Sequence, residues 1–163
     1  MGDTIAFQQI SSFEELRICF KPIGYVIRRN QPPKLRSWSK DIVFKYDEQL
    51  RRQIVEVFIF PSYSDALERI EEYEYLWLIW FAHLSGKPST LKVHIHGDPS
   101  QPIYGVFATR SPVRPNNIML SLVKLIERRG NVLVVKGTEA FDGTPVIDIK
   151  PYIPSLDTPE SIP

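Results

Sequence analysis

The sequence has little of what usually marks a compartment or a chemistry. A single cysteine, Cys19, in 163 residues excludes an intrachain disulfide. Small secreted domains lean on disulfides, so a reducing, cytoplasmic setting is expected. No stretch approaches the ~20 apolar residues of a membrane-spanning helix; the longest apolar run is Leu76 to His83. Residues Met1 to Gln9 lack the basic start and apolar run of a signal peptide, so no membrane association is expected. Glycine is scarce, 8 residues against 14 prolines. Proline is excluded from helix interiors and central strands, so the chain must turn often and irregularly. The net charge of +1 exerts no overall pull toward nucleic acid. Also missing are G-x-G-x-x-G, a Walker loop, C-x-x-C and G-x-S-x-G, which removes the common nucleotide, redox and hydrolase signatures.

What remains is a globular composition, 43% hydrophobic and 24% charged, without repeats or low-complexity tracts, enough for one domain with a real core. Period-two alternation predicts strands at Ile23 to Arg28, Asp41 to Tyr46 and Val55 to Ile59, the last ended by Pro61. Ser12-Phe-Glu-Glu15 has capping-box spacing for a short helix. Ser64 is placed to cap a second helix over Asp65 to Glu72, with Ala66, Leu67 and Ile70 inward. Tyr75 to His83 is apolar on both faces and predicts a doubly covered central strand. Leu91 to His96, Gly105 to Thr109, Leu120 to Ile126 and Val132 to Val135 follow as short strands. Arg129-Gly130-Asn131 reads as a hairpin turn. Many short strands and few helices predict a mainly β fold, a compact antiparallel barrel or a sandwich.

Charge is unevenly distributed. Between Leu16 and Lys40 seven basic residues, among them Arg28 and Arg29, have no acidic neighbour in sequence. Between Gly86 and Lys136 eight basic residues face two acidic ones. Folded together, these segments make a positive face for phosphates; folded apart, they are solvated surface. His94 and His96 share a strand face near Asp98, as metal ligands might be spaced, but no fourth ligand accompanies them, and no metal is expected.

Two segments are dense in chemistry. In Gly105-Val-Phe-Ala-Thr-Arg-Ser-Pro-Val-Arg-Pro-Asn116, Pro112 and Pro115 stiffen a loop holding Arg110, Ser111, Arg114 and Asn116. Such preorganised donors suit a carboxylate, a phosphate or a base edge; a rigid turn with solvated arginines is the alternative. In Phe141-Asp-Gly-Thr-Pro-Val-Ile-Asp-Ile-Lys-Pro-Tyr152, a tight Asp142-Gly143 turn leads into a strand. Period two sets Asp148 and Lys150 on one strand face, as a salt bridge or as part of a site.

These two segments, with Ile23-Gly-Tyr-Val ahead of them and the Leu76-Trp-Leu strand ending in His83, closely resemble the TsaA-like (TrmO-type) family of tRNA threonylcarbamoyl-adenosine methyltransferases. The resemblance covers residues 20–155, leaving residues 1–19 as an N-terminal extension and 156–163 as a C-terminal tail. It implies a compact β-barrel that binds S-adenosylmethionine without a Rossmann fold, and a homodimer with the cofactor site near the subunit interface. Matched residue by residue, it implies that His83, Arg110, Leu120 and the Asp142-Gly143-Thr144-Pro145 turn contact the cofactor. Arg110 is then the candidate for its carboxylate, and Asp142 for its hydroxyl or amino groups. The implied reaction is methylation of the threonylcarbamoyl-adenosine beside the tRNA anticodon. Asp148, Lys150 and Tyr152 are candidates to face the base, without an assigned catalytic role. Arg28, Arg29, Arg114 and Asn116 are candidates for RNA contact, and Trp38, Tyr46 and Tyr104 for stacking or core packing. A non-catalytic barrel that binds S-adenosylmethionine or RNA, and a methyltransferase with another substrate, are the competing readings.

Overall fold

In the computed structural model, which describes residues 16–30, 48–94 and 98–161, alternation of apolar and polar side chains closes a sheet on itself. The strands are β1 (Gly24–Ile27), β2 (Ile54–Ile59), β3 (Tyr75–Phe81), β6 (Ile118–Arg129), β7 (Val132–Lys136) and β8 (Pro145–Pro151). They form a closed barrel in the order β1-β2-β7-β6-β3-β8. Each neighbouring pair is antiparallel. Two further strands, β4 (Lys92–His94) and β5 (Ile103–Gly105), make a separate two-stranded sheet. The mainly β barrel expected from sequence is the fold found.

Inward positions follow period two on every barrel strand: Val26; Val55, Val57 and Ile59; Leu76, Leu78 and Trp80; Met119 and Val123; Leu133 and Val135; Val146. Trp80 is fully buried, and its indole N–H donates to Ser121 Oγ at 2.9 Å, as a buried indole requires. Gly24 sits where β1 meets β2: a Cβ there would lie 2.0 Å from the Phe58 carbonyl oxygen, so only glycine allows the strands to approach. The β1–β8 seam holds two residue pairs, Gly24 with Val146 and Tyr25 with Pro145. It is extended by hydrogen bonds from Ile23 N to Val146 O (2.8 Å), Val26 N to Thr144 O (2.9 Å) and Gly143 N to Val26 O (2.8 Å). The Asp142–Pro145 turn therefore helps close the barrel.

Three sequence expectations are corrected. The helix over Asp65 to Glu72 is instead two 3-10 turns, Pro61–Leu67 and Ile70–Glu72. They are separated by Arg69, whose left-handed φ of 64° breaks the hydrogen-bond run so that the chain can turn into β3. Ser64 donates to the Pro61 carbonyl rather than capping a helix. Second, Gly105 to Thr109 is not a strand: β5 ends at Gly105, and Val106–Ala108 is a 3-10 turn whose Val106 carbonyl accepts from Thr109 Oγ1 at 2.9 Å. Third, β3 is covered on one face only. Leu76, Leu78 and Trp80 line the core, while Tyr75 and Phe81 are exposed on the outer wall, because a barrel strand has one dry side. The Arg129–Asn131 hairpin is present, with Gly130 at φ 59°. The Ser12–Glu15 helix, the Asp41–Tyr46 strand, Trp38, Tyr46 and His96 lie outside the described residues. Among the described residues, no helix is long and apolar enough to cross a membrane.

Candidate functional site

Strand direction gathers the family-matched residues at one end of the barrel. β8 begins there with Pro145, β3 finishes there opposite Ile118 of β6, and β7 runs out there into the loop that carries Thr138 to Thr144. His83 follows the end of β3, and the Thr109–Asn117 loop leads into the start of β6.

The turn is the best-defined part. Thr144 is buried, its N–H bonded to the Phe141 carbonyl at 3.2 Å. Gly143 has φ 73° and open space where a Cβ would stand, so the backbone is bare toward solvent. Asp142 Oδ1 accepts the backbone N–H of Arg28 at 2.7 Å, which fixes the carboxylate at the mouth of the barrel. Behind the turn runs a buried polar chain. Ser121 Oγ, which takes the Trp80 indole N–H, lies 3.1 Å from Glu139 Oε2 and 3.2 Å from Thr138 Oγ1. Glu139 also receives Nε of Arg51 at 3.2 Å.

The loop before β6 is ordered by its own bonds. Ser111 N donates to Thr109 Oγ1, Val113 N to Ser111 Oγ and Arg114 Nη1 to the Thr109 carbonyl. Asn117, buried and left-handed at φ 51°, donates from Nδ2 to the carbonyls of Pro112 (2.7 Å) and Gly86 (3.3 Å). Asparagine suits that position because its short amide tolerates positive φ. Arg110 is exposed on this braced loop and has no ion-pair partner among the described residues, whereas Arg114 is half-buried and Asn116 exposed. His83 is held below the usual imidazole range by partial desolvation, which outweighs its hydrogen bond to Phe81. It is therefore neutral at pH 7.

Leu120 points outward from β6 and is paired with Ile79, which on its other side is paired with Asp148. Leu120 and Asp148 thus flank Ile79 in one row, about 10 Å apart at two strand spacings. The next row holds Leu122, Trp77 and Lys150, and Tyr152 lies beyond it against Trp77 (6.0 Å) and Tyr75 (6.5 Å). Asp148 and Lys150 share a face as expected and pair with each other at 2.8 Å. Lys150 and Tyr152 lie progressively farther from the turn than Asp148 does.

The RNA candidates separate. Arg28 is not a surface cation: its residue is 3% exposed, and its guanidinium is used up on internal acceptors, because β1's period-two pattern continues inward through Gly24, Val26 and Arg28. Arg29 is exposed and pairs with Glu56 at 2.9 Å. Tyr104 is on the exposed face of β5, and His94 Nδ1 lies 2.6 Å from the Gln101 carbonyl. Sequence reasoning missed Ser121, Thr138 and Glu139; only the inward parity of Ser121 on β6 signalled any of them.

Residues 45–158 match the model of the tRNA-methyltransferase O N-terminal domain. The chain belongs to that family. A protein of Pyrococcus abyssi named as a probable S-adenosyl-L-methionine-binding protein is 38% identical over 152 residues, covering 90% of this chain and 74% of that one. The tRNA (adenine(37)-N6)-methyltransferase of Mus musculus is 32% identical over 146 residues, covering 87% of this chain and 32% of that one. The crystal structure of TrmO from Pseudomonas aeruginosa superposes with a TM-score of 0.62 at 29% identity, covering 87% of this chain and 59% of that one. The family resemblance and the barrel read from sequence thus hold, while the chain spans only part of the length of the mouse enzyme and of the solved TrmO.

Proposed function

We propose that this barrel is an S-adenosylmethionine-dependent methyltransferase acting on N6 of the adenosine next to the tRNA anticodon. The threonylcarbamoyl-adenosine at that place is the proposed form of the substrate. The observation that carries the reading is the convergence of His83, the Arg110 loop and the Asp142–Pro145 turn on one end of the barrel. The names of the relatives support the cofactor and the reaction.

The residues suit such a ligand. Arg110 offers a fork of donors to a carboxylate. The Asp142 carboxylate accepts from hydroxyl or amino groups, the open backbone at Gly143 permits close approach, and Leu120 supplies apolar cover. S-adenosylmethionine, when bound, supplies a methyl group on a positively charged sulfur. Neutral His83 adds no repulsion to that charge. The protein's work is then alignment and exclusion of water, which the braced turn and loop perform without rearranging. An adenine amine becomes acidic once alkylated, so no strong base is required. Asp148 already accepts from Ile149 N and Lys150, and solvent takes the proton in this reading.

The assembly proposed is a two-fold homodimer in the cytoplasm. Its support is the outer wall of β3 and β6, where Phe81 pairs with Ile118, Ile79 with Leu120 and Trp77 with Leu122. This apolar stripe includes Leu120, so a second copy seated there would wall the cofactor site.

A titration of S-adenosylmethionine tests the site. The wild type binds with measurable heat, and Arg110→Ala loses about 1.5–3 kcal/mol, the range of a charge-assisted hydrogen bond. Unchanged affinity in the variant removes Arg110 from the site.

A further inference from the structure

We propose that Arg28 is a positioning residue for the cofactor turn, presetting residues 138–144 for ligand through its buried guanidinium. The inference rests on reading that turn as the S-adenosylmethionine site, and it adds a residue that carries no ligand contact itself.

The guanidinium donates from Nε to the Ala140 carbonyl (2.9 Å) and from Nη2 to the Thr138 carbonyl (2.9 Å). From Nη1 it donates to the Leu50 carbonyl (3.1 Å) and Gln53 Oε1 (2.7 Å). Each of these acceptors is neutral. Burial pushes the group down to about 10, with Glu139 and then Asp142 opposing that shift through space, so it remains a cation at pH 7. A buried cation is an expensive way to fill space, and an apolar side chain of similar volume often serves stability as well or better. What an apolar chain cannot supply is a planar fork that fixes two carbonyls at once. Those carbonyls belong to the residues leading into Asp142, and the peptide N–H of the same arginine holds Asp142 Oδ1. β1 holds the rest, with Val26 bonded to Gly143 and Thr144.

The turn is thus gripped from below by the guanidinium and from the side by the β1 backbone. A turn held in this way is already in its binding shape, so ligand binding has little ordering to perform. Arg28 also joins residues 48–53 to the turn, a link repeated nearer the surface by Arg51 and Glu139.

The test compares S-adenosylmethionine affinity by calorimetry in the full chain and in R28M, R28K and Leu67→Ala. Leu67 is buried at the opposite barrel end, under Arg128, whose Nη1 donates to its carbonyl, so its truncation destabilises without touching the turn. R28M is expected to weaken binding roughly tenfold or more, with R28K recovering part of the loss, because preorganisation acts directly on affinity. Leu67→Ala, matched for stability in urea, is expected to stay within about twofold of wild type, since distant sites act independently. R28M binding like wild type overturns the proposal, as does an equal loss in Leu67→Ala, which would make Arg28 merely structural. If R28M fails to fold, Gln53→Ala decides: a loss of about two- to fivefold supports the proposal, and unchanged affinity overturns it, since this removes one neutral hydrogen bond from the fork. A wild type that binds no S-adenosylmethionine is a different failure: it overturns the cofactor reading, and this inference with it.

Discussion

Arg110 and His83 are the residues whose individual chemistry the account tests most sharply. Arg110 stands on a loop braced by Ser111, Arg114 and Asn117, so its loss removes a charge without collapsing its support. His83 gives a pH dependence. Its folded pKa is lowered, so the unfolded chain takes up the proton first, and stability rises with pH. The contribution of the neutral ring is complete above about pH 6.5, the ordinary imidazole value, and is lost as pH falls below it. If His83 lines the proposed cofactor site, its protonation also brings a positive charge toward a sulfonium ligand, so S-adenosylmethionine affinity is expected to fall as the ring takes up its proton. Titrations carried stepwise downward from about pH 7.5 check this, and His83→Asn should flatten the dependence on pH. At this scale the sequence was legible where a motif carried the meaning, as in Asp142-Gly143, and misleading where only charge did. Arg28 and Arg29 are adjacent and equally basic, yet one is buried on neutral acceptors and the other pairs with Glu56. Strand parity, not charge, separates them.

At the scale of the elements, period two served well because a barrel wall has one dry face: β2, β6, β7 and β8 lie close to where alternation puts them. It failed where short hydrogen-bonded turns replaced regular structure. The capping pattern around Ser64 became two 3-10 turns, since Asn131 Nδ2 also binds Ser64 Oγ at 2.7 Å and ties that segment to the β6–β7 hairpin. Such a tertiary contact leaves no local signature. The polar chain inside the wall is the other long-range feature. Ser121→Ala should remove the buried hydrogen bond from Trp80 Nε1 to Ser121 Oγ and cost about 1 kcal/mol, the net worth of one such bond. Urea unfolding measures it. Gly24→Ala should cost about as much or more, because its Cβ would overlap the Phe58 carbonyl and force β1 from β2. A thermal midpoint equal to wild type would contradict the close approach of those strands.

The molecule as a whole divides its surface by task. One barrel end holds the turn, His83 and the Arg110 loop; the outer wall of β3, β6 and β8 carries apolar rows edged by Asp148 and Lys150. That partition was only half visible in the sequence, which named the parts but could not say that Lys150 and Tyr152 sit rows away from the turn. With Arg28 buried, the proposed RNA contact would have to draw on other cations such as Arg29, which is exposed, and Arg114, which is half-buried. The binding of tRNA should weaken steeply with salt, and Arg29→Ala should flatten the slope by about one unit if it meets a phosphate. The central claim is methyl transfer, and nucleoside mass analysis tests it most directly. Purified protein is incubated with S-adenosylmethionine carrying a labelled methyl group and with tRNA bearing threonylcarbamoyl-adenosine. The label is expected on N6 of the anticodon-adjacent adenosine, and to be lost with Arg110→Ala. Tight cofactor binding with no label in any tRNA nucleoside would contradict the account and leave a barrel that binds S-adenosylmethionine without acting on tRNA.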